Sequence, residues 1–214
     1  MGEVYKAEHQ LLRRPCAVKW IRMEYLPGHT LEEIVATEVP LAPTRAVHLL
    51  RQVASALTEA HAAGLTHRDI KPGNVMVCER DGIADVAKLL DFGLVVAAGM
   101  NAADAKLTQA GMILGTPAYM SPEQCGGDEH SGPASDIYSV GALAYFMLTG
   151  RSPFEGKAPV QMMMAHLGEV PASVASRRPG VSGAMEAVVM RCLAKRAEDR
   201  YASAADLEHA LVSV

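Results

Sequence analysis

The sequence holds four cysteines and no C-x-x-C pair: Cys16, Cys78, Cys125 and Cys192 stand far apart. That scatter argues against a disulfide framework and suits reduced thiols in the cytosol. Cys125 and His130 would make only half of a zinc site, because zinc takes four ligands. No run of Lys or Arg is present and the net charge is −4, so nothing here would track a nucleic-acid backbone. The most apolar segment, Ile137–Leu148, is too short to span a bilayer, which predicts no membrane crossing in this chain. A charged leader followed by an apolar stretch is also missing at the N-terminus, which leaves secretion unsupported and predicts a cytoplasmic protein. Internal repeats and low-complexity tracts are absent.

What is present is ordinary globular material. The chain has 214 residues, half of them apolar and 21% charged, enough for one or two domains with a substantial core. Residues 3–7 and 16–23 read as strands from their β-branched content and alternation. From Pro43, apolar residues recur at three- and four-residue steps through Leu57, predicting a helix that Gly64 stops. Val75–Cys78 and Val86–Leu90 are short apolar runs separated by the turn pair Asp81-Gly82. Residues 94–132 show no sustained period and read as a long loop, a kind usually functional or disordered in compact domains. Residues 134–149 are apolar almost all round, predicting a buried helix closed by Gly150. Further helices are predicted near 157–167, 183–195 and 203–212, the last opened by Ser203 with Asp206 in its first turn. The expected class is α+β, a sliver of sheet followed by a mainly helical body.

Two stretches carry chemistry. In "THRDIKPGNVMV" (66–77), Asp69 and Asn74 flank a loop with Lys71 between them. A carboxylate, an ammonium and an amide at this spacing can hold a hydroxyl, a phosphate and a metal ion together. Seventeen residues after Asn74, "LLDFGL" (89–94) places Asp91 at the end of an apolar run, beside a glycine. Asn74 and Asp91 offer the hard oxygen ligands that Mg²⁺ prefers, with phosphates completing its shell. Taken singly, His-Arg-Asp reads equally well as a polar turn and Asp-Phe-Gly as a strand end.

In this order and context the two stretches resemble those of the protein kinases. Three further segments extend the resemblance: "GTPAYMSPE" (115–123), "SDIYSVGALAYFMLTGRSPFEG" (135–156) and "RAEDRY" (196–201). The wording is most similar to eukaryotic-type serine/threonine kinases of bacteria, continuously over about residues 24–214. The resemblance implies a kinase-like fold, with 1–25 as the remnant of a β-rich small lobe and 26–214 as the helical large lobe. It implies ATP and Mg²⁺ as cofactors and a protein Ser/Thr hydroxyl as acceptor. Asp69 would orient that hydroxyl and accept its proton, Lys71 would neutralise the transferring phosphoryl group, and Asn74 and Asp91 would hold Mg²⁺. Gly2, Val4, Ala17 and Lys19 would belong to the nucleotide site, with Met76 under adenine and the backbone of Glu24 and Leu26 along its edge. His67, Arg68 and Phe92 would be structural, as would Asp136, which anchors the catalytic loop, and Arg200, which pairs with Glu123. Lys71 together with Thr116 points to the serine/threonine subclass. Thr108 is the sole side-chain hydroxyl between Leu94 and Gly115, and so the candidate phosphorylation site of the activation segment for an activating kinase or a self-associated copy.

One departure cuts across this. Only Trp20-Ile21-Arg22 separate Lys19 from Met23, where the family carries a helix with the lysine's glutamate partner and two strands, roughly 30–40 residues. The first two glycines of the loop over ATP are missing as well. The spacing predicts one continuous strand through Lys19 and Met23, because β-branched Ile21 suits no tight hairpin. Two functional readings follow: an ATP-dependent serine/threonine kinase, or a non-catalytic kinase-like interaction module or inactive gene fragment.

Overall fold

The structure is a computed structural model that describes residues 25–38, 40–90, 117–128 and 131–214 in full, and 3–9 and 14–20 as backbone. At the N-terminus β1 (Glu3–His9) and β2 (Arg14–Trp20) form an antiparallel pair in which Val4 lies opposite Lys19. The strand expected over 16–23 thus starts two residues earlier, at Arg14, and its continuation through Met23 falls outside the described residues.

A second, three-stranded sheet has the order β3-β4-β5, from β3 (Gly28–Thr30), β4 (Val75–Arg80) and β5 (Ile83–Leu89). All its pairings are antiparallel. The β4–β5 hairpin closes on Asp81 and Gly82, both at positive φ (52° and 76°), the conformation a two-residue hairpin turn requires. Val75 and Val77 belong to the core, while Met76, one residue out of phase, faces the other side of the sheet.

Helices make up the rest: α1 (Leu31–Thr37), α2 (Pro43–Ala62), α3 (Pro122–Cys125), α4 (Pro133–Thr149), α5 (Pro159–Gly168), α6 (Val174–Arg177), α7 (Gly183–Cys192) and α8 (Ala204–Val212). The α4 helix lies at the centre, with residues 135–145 buried without interruption, as a segment lacking a polar face must be. The apolar stripe of α2 (Ala46, Leu49, Leu50, Val53, Ala54, Leu57) enters the same core, together with Val188 and Val189 of α7 and Leu207 and Leu211 of α8. At Gly141 an added Cβ would lie 2.5 Å from the Cβ of Cys192, so α4 and α7 touch where only glycine fits.

Two regions differ from the sequence reading. Residues 31–37 form α1, opened by a reciprocal cap in which the Thr30 hydroxyl accepts from the Glu33 N–H and the Glu33 carboxylate accepts from the Thr30 N–H. Within the stretch read as a long loop, Pro117–Tyr119 form a 3₁₀ turn and Ser121 caps α3. Among the described residues no helix is long and apolar enough to cross a membrane.

Candidate active site

The loop between α2 and β4 carries His67, Arg68, Asp69, Lys71 and Asn74. Its conformation is imposed from beneath. Asp136, 1% exposed in the first turn of α4, accepts three hydrogen bonds: from the His67 N–H (2.9 Å), the Arg68 N–H (2.8 Å) and the His61 Nε2–H (2.8 Å). A buried carboxylate needs such donors, and here they satisfy it while fixing two consecutive peptides. Arg68 takes φ = 68°, a left-handed conformation costing a non-glycine residue about 1–2 kcal/mol. The strain is held from both sides, because the Arg68 carbonyl accepts from Gln124 Nε2 at 2.7 Å. Gln124 in turn accepts from the Ser121 N–H at 2.9 Å, so the α3 cap and the loop before β4 share one side chain.

The hydrogen bonds of His67 define its tautomer. Its Nε2 lies 2.7 Å from the Leu90 carbonyl, which only accepts, so Nε2 carries the proton. Its Nδ1 lies 3.2 Å from the Asp69 N–H, which only donates, so Nδ1 is bare. The neutral ring therefore bridges Asp69 to Leu90, the residue preceding Asp91. Leu90 is held a second time, its N–H donating to the Asn74 carbonyl at 2.8 Å.

Above this base stand the groups that could do chemistry. Asp69 Oδ2 accepts from Lys71 Nζ at 2.7 Å and from Asn74 Nδ2 at 2.9 Å. Asn74 Nδ2 also donates to the Asp69 carbonyl at 2.8 Å. With the amide nitrogen fixed toward Asp69, Asn74 keeps Oδ1 as its hard oxygen, the kind of donor that Mg²⁺ prefers. The side chains of Asp69 and Lys71 are 44% and 28% exposed, open to a substrate as their anchors are not.

A second anchor fastens α3. All five N–H groups of Arg200 are engaged: two reach Glu123 (Nη1–Oε1 2.7 Å, Nη2–Oε2 2.9 Å), and the rest reach the carbonyls of Ala134, Ala194 and Lys195. Ser135 Oγ adds a bond to Glu123 Oε1 at 2.7 Å. Burial alone would raise the Glu123 pKa, but the Arg200 fork and the Ser135 hydroxyl outweigh it and hold the carboxyl below its ordinary range. The Tyr119 carbonyl accepts from Ser139 Oγ at 2.8 Å, tying the preceding turn to α4.

The structure thus brings together His67, Arg68, Asp69, Lys71, Asn74 and Asp136, and separately Glu123 and Arg200. Met76 is half-buried on β4, and Leu26 lies just before β3. Val4, Ala17 and Lys19 are placed as backbone only, and Gly2, Glu24, Asp91, Phe92, Thr108 and Thr116 lie outside the described residues. Sequence reasoning passed over Gln124, His61 and Ser135. The first had a legible signal, the Ser-x-x-Gln pattern of a capping box at 121–124.

The family model described as "Protein kinase domain" matches residues 15–212. The chain belongs to the protein kinase family. It is 43% identical over 187 residues to the serine/threonine-protein kinase pkn3 of Myxococcus xanthus, covering 86% of this chain and 34% of that protein. To the serine/threonine-protein kinase PknB of Mycobacterium tuberculosis it is 39% identical over 195 residues, covering 91% of this chain and 30% of that one. The chain therefore spans about a third of the length of these kinases. The kinase domain of Mycobacterium tuberculosis PknI shares the fold with a TM-score of 0.66 at 23% identity, over all of this chain and 70% of that one.

Proposed function

We propose that this kinase-family chain transfers the γ-phosphoryl group of ATP to a serine or threonine hydroxyl of a protein. The observation that carries the reading is the Asp69 carboxylate, held by Lys71 and Asn74 on a loop whose backbone is fixed to buried Asp136. Phosphoryl transfer asks a protein mainly for positioning and charge stabilisation, and this loop supplies both. Asp69 receives the acceptor hydroxyl and its proton. Lys71 neutralises negative charge on the transferring group. Asn74, through Oδ1, and Asp91 would hold Mg²⁺, which would supply positive charge against the phosphates. Met76 lies under adenine, the backbone of Glu24 and Leu26 bonds its edge, and Gly2, Val4, Ala17 and Lys19 complete the nucleotide site. On this reading 1–25 is the remnant of the small lobe and 26–214 the large lobe. The protein acts in the cytoplasm. Phosphate on Thr108, added by an activating kinase or a second copy, pairs with Arg68, and Thr116 belongs to the same activation segment.

The test is incorporation of label from γ-labelled ATP into a Ser/Thr-containing protein by the wild type and by Asp69→Asn. The expected result is Mg²⁺-dependent incorporation that falls about 100-fold or more in the variant. Equal incorporation by the two would overturn the assignment. The non-catalytic reading is favoured by one observation, the three residues between Lys19 and Met23, which leave no helix to bring the lysine a glutamate. It predicts no incorporation by either protein.

A further inference from the structure

Among the described residues β5 is an edge strand, and it is irregular. Cys78 pairs with Val86 and Arg80 with Ile83, so the two residues Ala84 and Asp85 stand opposite the single residue Glu79. This is a one-residue bulge, and Asp85 takes the left-handed conformation at φ = 58°. Removing the extra residue would shift the strand by one and turn every later side chain to the opposite face.

Helix α2 grips the bulge. Arg45 Nε and Nη2 bond the two Asp85 carboxylate oxygens at 2.9 and 2.7 Å, and Arg45 Nη1 also bonds Glu38. The fork holds the Asp85 carboxyl below its ordinary range. Two turns further along α2, Gln52 treats β5 as a neighbouring strand would. Its Nε2 donates to the Asp85 carbonyl at 2.9 Å and its Oε1 accepts from the Ala87 N–H at 3.0 Å. Since both partners are backbone groups of fixed polarity, the orientation of the Gln52 amide is determined. Five residues beyond the bulge, β5 has led into Leu90, whose N–H meets the Asn74 carbonyl and whose C=O meets His67 Nε2.

We propose that Arg45, Gln52 and Asp85 form a register lock: positioning residues that fix the bulge in β5 and thereby set where Leu90 meets Asn74 and His67. Their bearing on catalysis rests on the phosphoryl-transfer reading, because Asn74 and the residue after Leu90 are the metal ligands of that reading. The lock itself does not depend on it. It explains why an aspartate occupies a position whose backbone favours glycine or asparagine: the carboxylate is the handle for the Arg45 fork.

The experiment is amide hydrogen exchange and imidazole ¹⁵N NMR on the full chain, for wild type, Arg45→Met, Arg45→Lys, Asp85→Gly and Asp85→Val. In the wild type the Leu90 amide is protected and His67 shows the Nε2–H tautomer alone. Arg45→Met should speed Ala87 and Leu90 exchange about tenfold, the loss expected of an ordinary charge-assisted hydrogen bond, with Arg45→Lys recovering part of it. Asp85→Gly, which keeps the positive φ, should resemble Arg45→Met. Asp85→Val opposes that φ, and should mix the His67 tautomers and release Leu90 the most. Throughout, amides of α4 should stay at wild-type rates. The proposal is overturned if Arg45→Met and Asp85→Val leave Leu90 and His67 unchanged, or if α4 amides accelerate in step with Leu90. Calorimetry of ATP with and without Mg²⁺ separates the two readings. A fall of the Mg²⁺-dependent affinity in Arg45→Met links lock to site. A wild type with no such affinity ends the phosphoryl-transfer reading, while Leu90 and His67 still decide the lock.

Discussion

Asp136 and Arg200 on one side, Asp69 and Lys71 on the other, are all charged, yet they live under opposite rules. The first two are 1% and 2% exposed, and their hydrogen-bonding groups are taken up by backbone and side-chain partners. The second two pair with each other across 2.7 Å and remain open to solvent. A buried charge that loses a partner leaves the other uncompensated, which is strongly destabilising, whereas an exposed pair contributes little to folding. The fold thus depends on the buried pair, and the exposed pair should be open to change without unfolding the chain.

The sharpest way to break this contrast is Arg200→Met. It strands the Glu123 carboxylate and three carbonyls at once, and the expected loss is about 3–5 kcal/mol by urea denaturation. A loss below 1 kcal/mol would mean that the buried fork matters no more than a surface pair.

Acid should act next most strongly, and through another buried polar cluster. His166 accepts from the Tyr138 hydroxyl at Nδ1 (2.8 Å) and packs edge-on to Phe154. Burial, reinforced by the nearby Lys195 charge, pushes its pKa down to about 4 from an ordinary 6.5. The native state therefore refuses a proton that the unfolded chain accepts. The stabilisation is complete above pH 6.5 and lost as pH falls toward 4, at up to about 1.4 kcal/mol per pH unit. Denaturation curves at pH 7, 6 and 5 should show that slope, and His166→Gln should flatten it.

A smaller effect belongs to the rim. Thr30→Ala removes the exposed cap of α1 and should cost about 1 kcal/mol, read from the thermal midpoint. Smallest of all is Asp69→Asn. Its stability should stay within about 0.5 kcal/mol of wild type, the range of surface substitutions, while on the proposed function phosphoryl transfer falls about 100-fold or more. A large destabilisation there would erase the contrast altogether.

These two classes of residue were not equally legible in the sequence. Helix α4 could be read from its apolar run and α2 from its periodicity, because each is long enough for a pattern to repeat. At seven residues α1 gives barely two turns, and its one clear signal is the Thr30-x-x-Glu33 box. Asp69, Lys71 and Asn74 sit within six residues, so their proximity was local information. The groups around them were hidden because their partners are remote: Gln124 meets a carbonyl 56 positions away, and Arg45 a carboxylate 40 positions away. Neither the bulge at Asp85 nor its left-handed backbone has a turn residue such as glycine to announce it. Register of this kind is decided by the helix packed against the strand.

The separation of site and anchors along the chain also sets an order of events. His67 and Arg68 depend on a carboxylate 69 and 68 residues further on, and Glu123 on a guanidinium 77 residues beyond it. Contacts so distant close only after the intervening chain exists and has collapsed, which makes them late and slow to form. During synthesis, Asp69, Lys71 and Asn74 are made well before Asp136, and Arg200 comes later still. A nascent chain made only as far as Leu90 therefore carries these three side chains without the carboxylate that fixes the loop beneath them.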